Sequence, residues 1–221
     1  MKRLLLSGIC LLVLACTAKS QKYRAILQTD AGKMTIELFD GTPGHRDNFI
    51  KLARKHFYDG LLFHRVIPGF MIQGGDPDSR HAKPGAMLGD GDVGYTIPAE
   101  FRPQYFHQRG ALAAARDDNA EKASSGCQFY IVTGKKFTDS TLNKAEKRSG
   151  HRLPQMHREV YKTIGGAPHL DQNYTVYGQV IKGMEAADKI VNTKTDSHDR
   201  PATDQHIRKI RIRKKVLGIW L

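Results

Sequence analysis

Within nine residues, Arg65, Phe70, Met71 and Gln73 bring together a permanent cation, a large aromatic, a soft apolar side chain and an amide. They lie on two short apolar runs either side of Pro68-Gly69, and Gly74-Gly75-Asp76-Pro77 ends the second run. If the runs pair as a hairpin, alternate side chains face opposite ways, half toward a core and half toward a surface groove. The stretch offers no nucleophile and no obvious acid/base pair. Its residue types suit a groove that seats an apolar peptide group beside a fixed donor. Arginine fits the donor role because its guanidinium stays charged and presents a rigid fork of N–H groups.

The chain around this hairpin reads as strands punctuated by turns. Residues 23–29 and 33–39 alternate, with Met34, Ile36 and Leu38 against Lys33, Thr35 and Glu37, and Asp30-Ala31-Gly32 turns between them. Thr42-Pro43 predicts a helix cap and first helical residue, and Phe49, Leu52, Ala53 and Phe57 keep helical spacing as far as Tyr58. Further strands are predicted at 110–115, 127–132, 174–181 and 207–213, the last with a cationic outer face, and a second helix at 183–191. Residues 135–166 read as a partly helical, basic insertion with helices beginning near Thr138 and Pro154, either a solvated excursion beside the groove, the reading preferred, or a contact for an acidic partner or lipid headgroups. The tail from Val216 to Leu221, which holds Trp220, either packs on the sheet or touches a membrane. Short strands with two core helices predict a mainly β, closed sheet.

Residues 78–94 read as loop and contain Gly89-Asp90-Gly91-Asp92-Val93-Gly94, formally G-x-G-x-x-G. Its two aspartates would repel phosphate, no strand–helix context surrounds it, and no acidic residue stands about 20 positions on. Dinucleotide binding is therefore not expected. The formal charge is +13, but the lysines and arginines are spread along the chain with no nucleic-acid motif, so no nucleic-acid partner is expected. Cys10, Cys16 and Cys127 lack metal-ligand spacing and the ten histidines are scattered, so no metal site is expected.

Residues 1–20 read as an export leader: Lys2-Arg3, an apolar run over 4–15, then small residues. The run is too short to cross a bilayer as a helix, which takes about 20 residues. Leu12-Val13-Leu14-Ala15-Cys16 resembles a bacterial lipobox, which makes Cys16 an acylated N-terminus. Thr17 rather than aspartate then implies tethering to the outer membrane, facing the periplasm. Ala18-Lys19-Ser20 offers an ordinary cleavage site instead, releasing a soluble periplasmic or secreted protein. Either way, residues 21–221 are expected to form a single domain.

The stretch from Phe63 to Pro77, FHRVIPGFMIQGGDP, resembles the central signature of the cyclophilins, the cyclosporin-type peptidyl-prolyl cis-trans isomerases. Ordered matches follow at residues 97–101 (IPAEF), 110–116 (GALAAAR), 125–131 (SGCQFYI) and 169–180 (HLDQNYTVYGQV). The resemblance implies an eight-stranded antiparallel barrel with a helix at each end, acting as a monomer without a cofactor. Its substrates would be proline-containing peptides and unfolded exported proteins. It further implies that Arg65 is the catalytic arginine, that Gln73 holds the substrate backbone, and that Phe70, Met71, Tyr130 and Leu170 line a proline pocket beside Ala115 and Arg116. His169 stands where many members carry tryptophan, Tyr174 where many carry histidine, and Tyr130 where phenylalanine is usual. Those departures leave open a second reading, a cyclophilin-fold peptide-binding or chaperone module with little turnover.

Overall fold

Alternation at the start of the chain becomes a hairpin. Strands β1 (Tyr23–Thr29) and β2 (Gly32–Leu38) pair antiparallel, and Ala25, Leu27, Met34, Ile36 and Leu38 are completely buried between the sheet and its helices. This computed structural model describes residues 21–221, so the leader and Cys16 lie outside the described residues. The remaining strands are β3 (Arg65–Ile67), β4 (Met71–Gly74), β5 (Thr96–Ile97), β6 (Ala111–Ala114), β7 (Ser124–Ser125), β8 (Phe129–Val132), β9 (Val176–Lys182), β10 (Ile207–Val216) and β11 (Ile219–Trp220). Nine of them form one antiparallel sheet in the order β11-β10-β1-β2-β9-β6-β8-β4-β3, and β5 pairs with β7 apart from it.

The ladder ends at β3, but the chain leading into β3 reaches the other side. Phe63 N–H donates to the Gln205 carbonyl at 2.8 Å, Ile207 N–H to Leu61 at 2.7 Å, and Gly60 N–H to Ile207 at 2.8 Å. Eight strands thus curl until their ends meet through a short backbone bridge, and β11 is an extra hairpin arm on β10. Helices α1 (Pro43–Arg54) and α4 (Met184–Val191) bury Phe49, Leu52, Ala53, Ala187 and Ile190 against the sheet.

Two details of α1 differ from the sequence reading. Thr42 occupies the cap position, but its hydroxyl makes no capping bond. The Glu100 carboxylate, far along the chain, accepts the Gly44 and His45 N–H groups instead. The helix also stops at Arg54 rather than Tyr58. Apolar spacing persists past the helix because the Tyr58 ring still packs on Phe49 and Phe129, at 5.1 and 5.5 Å, from a non-helical turn.

The insertion folds on itself. Helix α2 (Asp139–Ser149) starts with a Thr138/Thr141 capping box and ends at Gly150 in the left-handed conformation, and α3 (Gln155–Thr163) follows. Leu142, Leu153 and Tyr161 form a small buried cluster with Phe106 and Phe137.

Candidate active site

The pleat divides the strands between two apolar clusters. Val66, Ile72, Leu112, Ala114, Phe129 and Ile131 point into the barrel, while Met71, Ala111, Ala113, Tyr130 and Val132 point outward and make a second cluster with Leu170 and Val176. The site is built on this outer wall. Arg65 sits directly opposite Gln73 across the β3–β4 hairpin. Gly69, with φ of 68°, turns the chain between those strands and leaves Phe70 half-buried at the wall's edge. A 3-10 turn, Pro168–Leu170, brings His169 and Leu170 over the same wall.

Arg65, Phe70, Met71, Gln73, Ala115, Arg116, Tyr130, His169, Leu170 and Tyr174, all ten residues expected at the catalytic and substrate-binding site, border one cleft of about 290 Å³. Arg148, at the end of α2, is its remaining wall. The cleft floor is apolar and its rim is cationic, and no carboxylate lines it.

A chain of amides aims the arginine. Gln128 donates to the Gly89 and Gly91 carbonyls at 2.6 and 2.9 Å, so its oxygen is left to accept from the Gln73 amide at 3.0 Å. The Gln73 oxygen then faces Arg65 Nη1 at 3.5 Å. Asp199 lies 3.6 Å from Arg65 Nε, and the arginine side chain is 44% exposed, held at one side and open at the other. The glycines that mimic a nucleotide loop are thus a strap for Gln128. A Cβ on Gly91 would lie 2.1 Å from Asp76 Oδ1. On the far rim the Arg116 guanidinium lies 4.7 Å from the Tyr174 ring centre and donates to the Asn173 and Asp117 carbonyls.

The hydroxyl that distinguishes Tyr130 from phenylalanine is buried in a relay behind the cleft. It lies 2.9 Å from His107 Nε2; His107 Nδ1 lies 2.9 Å from Asp171 Oδ1; and Tyr161 donates to Asp171 Oδ2 at 2.7 Å. In the neutral ring, Nδ1–H donates to Asp171 and Nε2 accepts the Tyr130 O–H. Burial pushes the Tyr130 and Tyr161 phenols well above their usual range, so both stay protonated. Tyr161 belongs to the insertion, so the reading of 135–166 as a solvated excursion is corrected: one of its helices anchors the pocket floor and the other supplies Arg148. Sequence reasoning passed over His107, Asp171 and Tyr161 because partners so far apart leave no periodic pattern. Asp171 beside Leu170, within a matched motif, was the one available signal.

His169 has its ring centre 5.4 Å from that of Phe70. Burial, with the nearby Arg148 charge adding to it, brings its imidazole down to about 4. Among the described residues no group of three or more His, Cys, Asp or Glu could hold a metal, and Cys127 is a buried free thiol pushed up to about 11 by burial.

Residues 24–212 match the family described as cyclophilin type peptidyl-prolyl cis-trans isomerase/CLD. The chain belongs to the cyclophilins. A Staphylococcus haemolyticus protein bearing the peptidyl-prolyl cis-trans isomerase name is 35% identical over 198 residues, covering 89% of this chain and 94% of that one. Among solved structures, a Cryptosporidium parvum cyclophilin type isomerase superposes with a TM-score of 0.61 at 24% identity, covering 86% of this chain and 96% of that one. The same parasite enzyme solved in the presence of the dipeptide Ala-Pro gives a TM-score of 0.59 at 24% identity, covering 85% and 96%. This cyclophilin is a peptidyl-prolyl cis-trans isomerase with a mainly β, barrel-like fold.

Proposed function

We propose that the cleft isomerises X-Pro bonds in exported proteins, with Arg65 stabilising the twisted imide and Phe70, Met71, Tyr130 and Leu170 seating the proline ring. The observation that carries this is a half-exposed guanidinium, steered by Gln73, at the rim of a cleft whose apolar lining is Phe70, Met71 and Leu170. The Ala-Pro dipeptide used with the parasite relative fits the same reading.

Rotation about an amide faces about 18–20 kcal/mol because the C–N bond is partly double. As it twists, resonance is lost and the nitrogen lone pair becomes a hydrogen-bond acceptor. A donor aimed at that nitrogen binds the twisted state better than either planar one, which is what lowers the barrier. The apolar floor excludes water from the imide and strengthens the donor's effect. Gln73, fixed through Gln128, would hold the substrate backbone. No covalent step is involved.

The cleft histidine should not respond to physiological pH. His169 is lowered to about 4, so it is neutral throughout and gains charge only as pH falls toward that value. Turnover is expected to be flat from about pH 5.5 to 8. A profile that bends near the ordinary histidine range would contradict the buried placement of His169.

The cationic rim points to a substrate preference. Arg65 and Arg116 have partners, whereas Arg148 is exposed with no hydrogen-bond or ion-pair partner among the described residues. Peptides with glutamate beside the proline are expected to show a KM about 3–10-fold below the lysine equivalents. Arg148→Gln should shrink that ratio without changing kcat on a neutral peptide. An unchanged ratio would remove Arg148 from recognition.

Export and tethering through Cys16 complete the proposal, with unfolded periplasmic chains as clients. Fatty-acid labelling of wild type and Cys16→Ser tests it, and absence of label on wild type would leave the soluble periplasmic or secreted form.

A further inference from the structure

The C-terminal hairpin spends apolar surface where packing gains nothing. Leu217 is 98% exposed, Ile219 65%, Leu221 63% and Val216 40%. Leu217 and Gly218 form the tip with φ of 49° and 87°, a turn that ordinarily takes asparagine and glycine. A leucine there adopts a left-handed backbone and places its whole side chain in water. Folding does not ask for either.

The strands beneath the tip are basic. Lys214 faces Tyr23, Arg213 faces Arg24, and Lys215 faces Trp220 across the ladder. The Arg24 guanidinium sits 4.1 Å from the Trp220 ring centre, and Lys22 accepts the Lys215 N–H on its carbonyl at 2.8 Å. Glu37, 3.4 Å from Arg24, is the carboxylate beside this group. An apolar tip, a tryptophan at its base and a collar of lysine and arginine are the parts of an interfacial membrane contact. The tip reaches the acyl boundary, the indole sits at headgroup level and the cations meet anionic headgroups.

Chain direction agrees. β1 begins beside the end of β10, so Lys22, near the start of the described chain, lies next to the hairpin. Cys16 stands five residues before Gln21, a reach of at most about 17 Å when extended. A tether at Cys16 would hold this face, and not the opposite wall, against a bilayer.

We propose that the β10–β11 hairpin docks on an anionic phospholipid bilayer, with Leu217, Ile219 and Leu221 entering it and Arg213 and Lys214 engaging its headgroups. The surface is separate from the isomerase cleft and does not depend on how the cleft works.

A chain beginning at Gln21 suits the test, because among the described residues the buried members of all three clusters lie between Ala25 and Ile210, and its prolyl turnover reports whether it has folded. Vesicles of phosphatidylglycerol and phosphatidylethanolamine are compared with phosphatidylcholine alone, by co-sedimentation and by emission of Trp220, the sole tryptophan. The expected result is binding to the anionic vesicles, a blue shift of Trp220, and weakening by salt. The exposed triple variant L217S/I219S/L221S and, independently, the charge reversal R213E/K214E should each lower binding about tenfold or more. Both should keep wild-type prolyl turnover, which reports an intact fold. The proposal is overturned if wild type ignores anionic vesicles at low salt, or if the triple variant binds within about twofold of wild type, which would assign adsorption to general charge. It is also overturned if the same substitutions abolish a concentration-dependent dimer while vesicles are not bound, which would give the face to a second copy of the chain.

Discussion

Arg65→Ala is expected to cut kcat/KM on a proline tetrapeptide by about 10²–10³-fold, the usual loss when one preorganised donor to a transition state is removed. Most of that should fall on kcat, because the planar imide offers the guanidinium no nitrogen lone pair to bind. Stability should barely change: the side chain is 44% exposed, and its contacts to Gln73 and Asp199, at 3.5 and 3.6 Å, are at the weak end of such interactions. Arg65→Lys should recover only part of the rate, since a flexible point charge replaces a rigid fork aligned by Gln73. A proline-peptide assay with unfolding curves for each variant checks this. Turnover in Arg65→Ala within about twofold of wild type would remove the arginine mechanism and favour the cyclophilin-shaped binding module.

Asp171→Ala is expected to destabilise the protein by about 3–5 kcal/mol, the largest effect foreseen away from the cleft. The carboxylate accepts from the His107 backbone N–H, from His107 Nδ1 and from the Tyr161 hydroxyl, all buried. Its removal strands three donors where water cannot replace it. For a chain of this size the melting temperature should fall by about 10 °C. Tyr161→Phe removes one donor and should cost about 1–2 kcal/mol. Because His107 also holds Tyr130, surviving Asp171→Ala enzyme should bind proline peptides more weakly, a rise in KM with kcat less affected. A melting temperature within about 2 °C of wild type would show that the insertion is not coupled to the pocket floor.

These two residues mark the limit of what the sequence announces. Arg65 sits in a contiguous signature, and its pairing with Gln73 can be read from a local pattern of two short runs, one turn and a period of two, while the more distant pocket side chains follow from the cyclophilin resemblance. Asp171 lies 64 positions from His107, and nothing local pairs them. Arg148 stands in a basic run that reads equally well as solvated surface, and it joins the cleft only because α2 packs beside the Pro168–Leu170 turn. The cap of α1 shows the same division: Thr42-Pro43 marks where the helix begins, but the carboxylate that satisfies its N–H groups comes from Glu100.

By itself the sequence determined the class of fold and the hairpin that pairs Arg65 with Gln73, because side-chain alternation and turn chemistry act within a few positions; the other cleft residues it named, Arg148 aside, came through the cyclophilin resemblance. Tertiary structure alone decided how the barrel's ends meet, that a buried His107–Asp171 relay fixes Tyr130, that the insertion contributes Arg148, and that the tail is a hairpin with an exposed apolar tip. Each of those is a contact between segments distant in the chain. Such contacts are settled by which groups must find a partner once water is gone, and that is known only when the chain has folded.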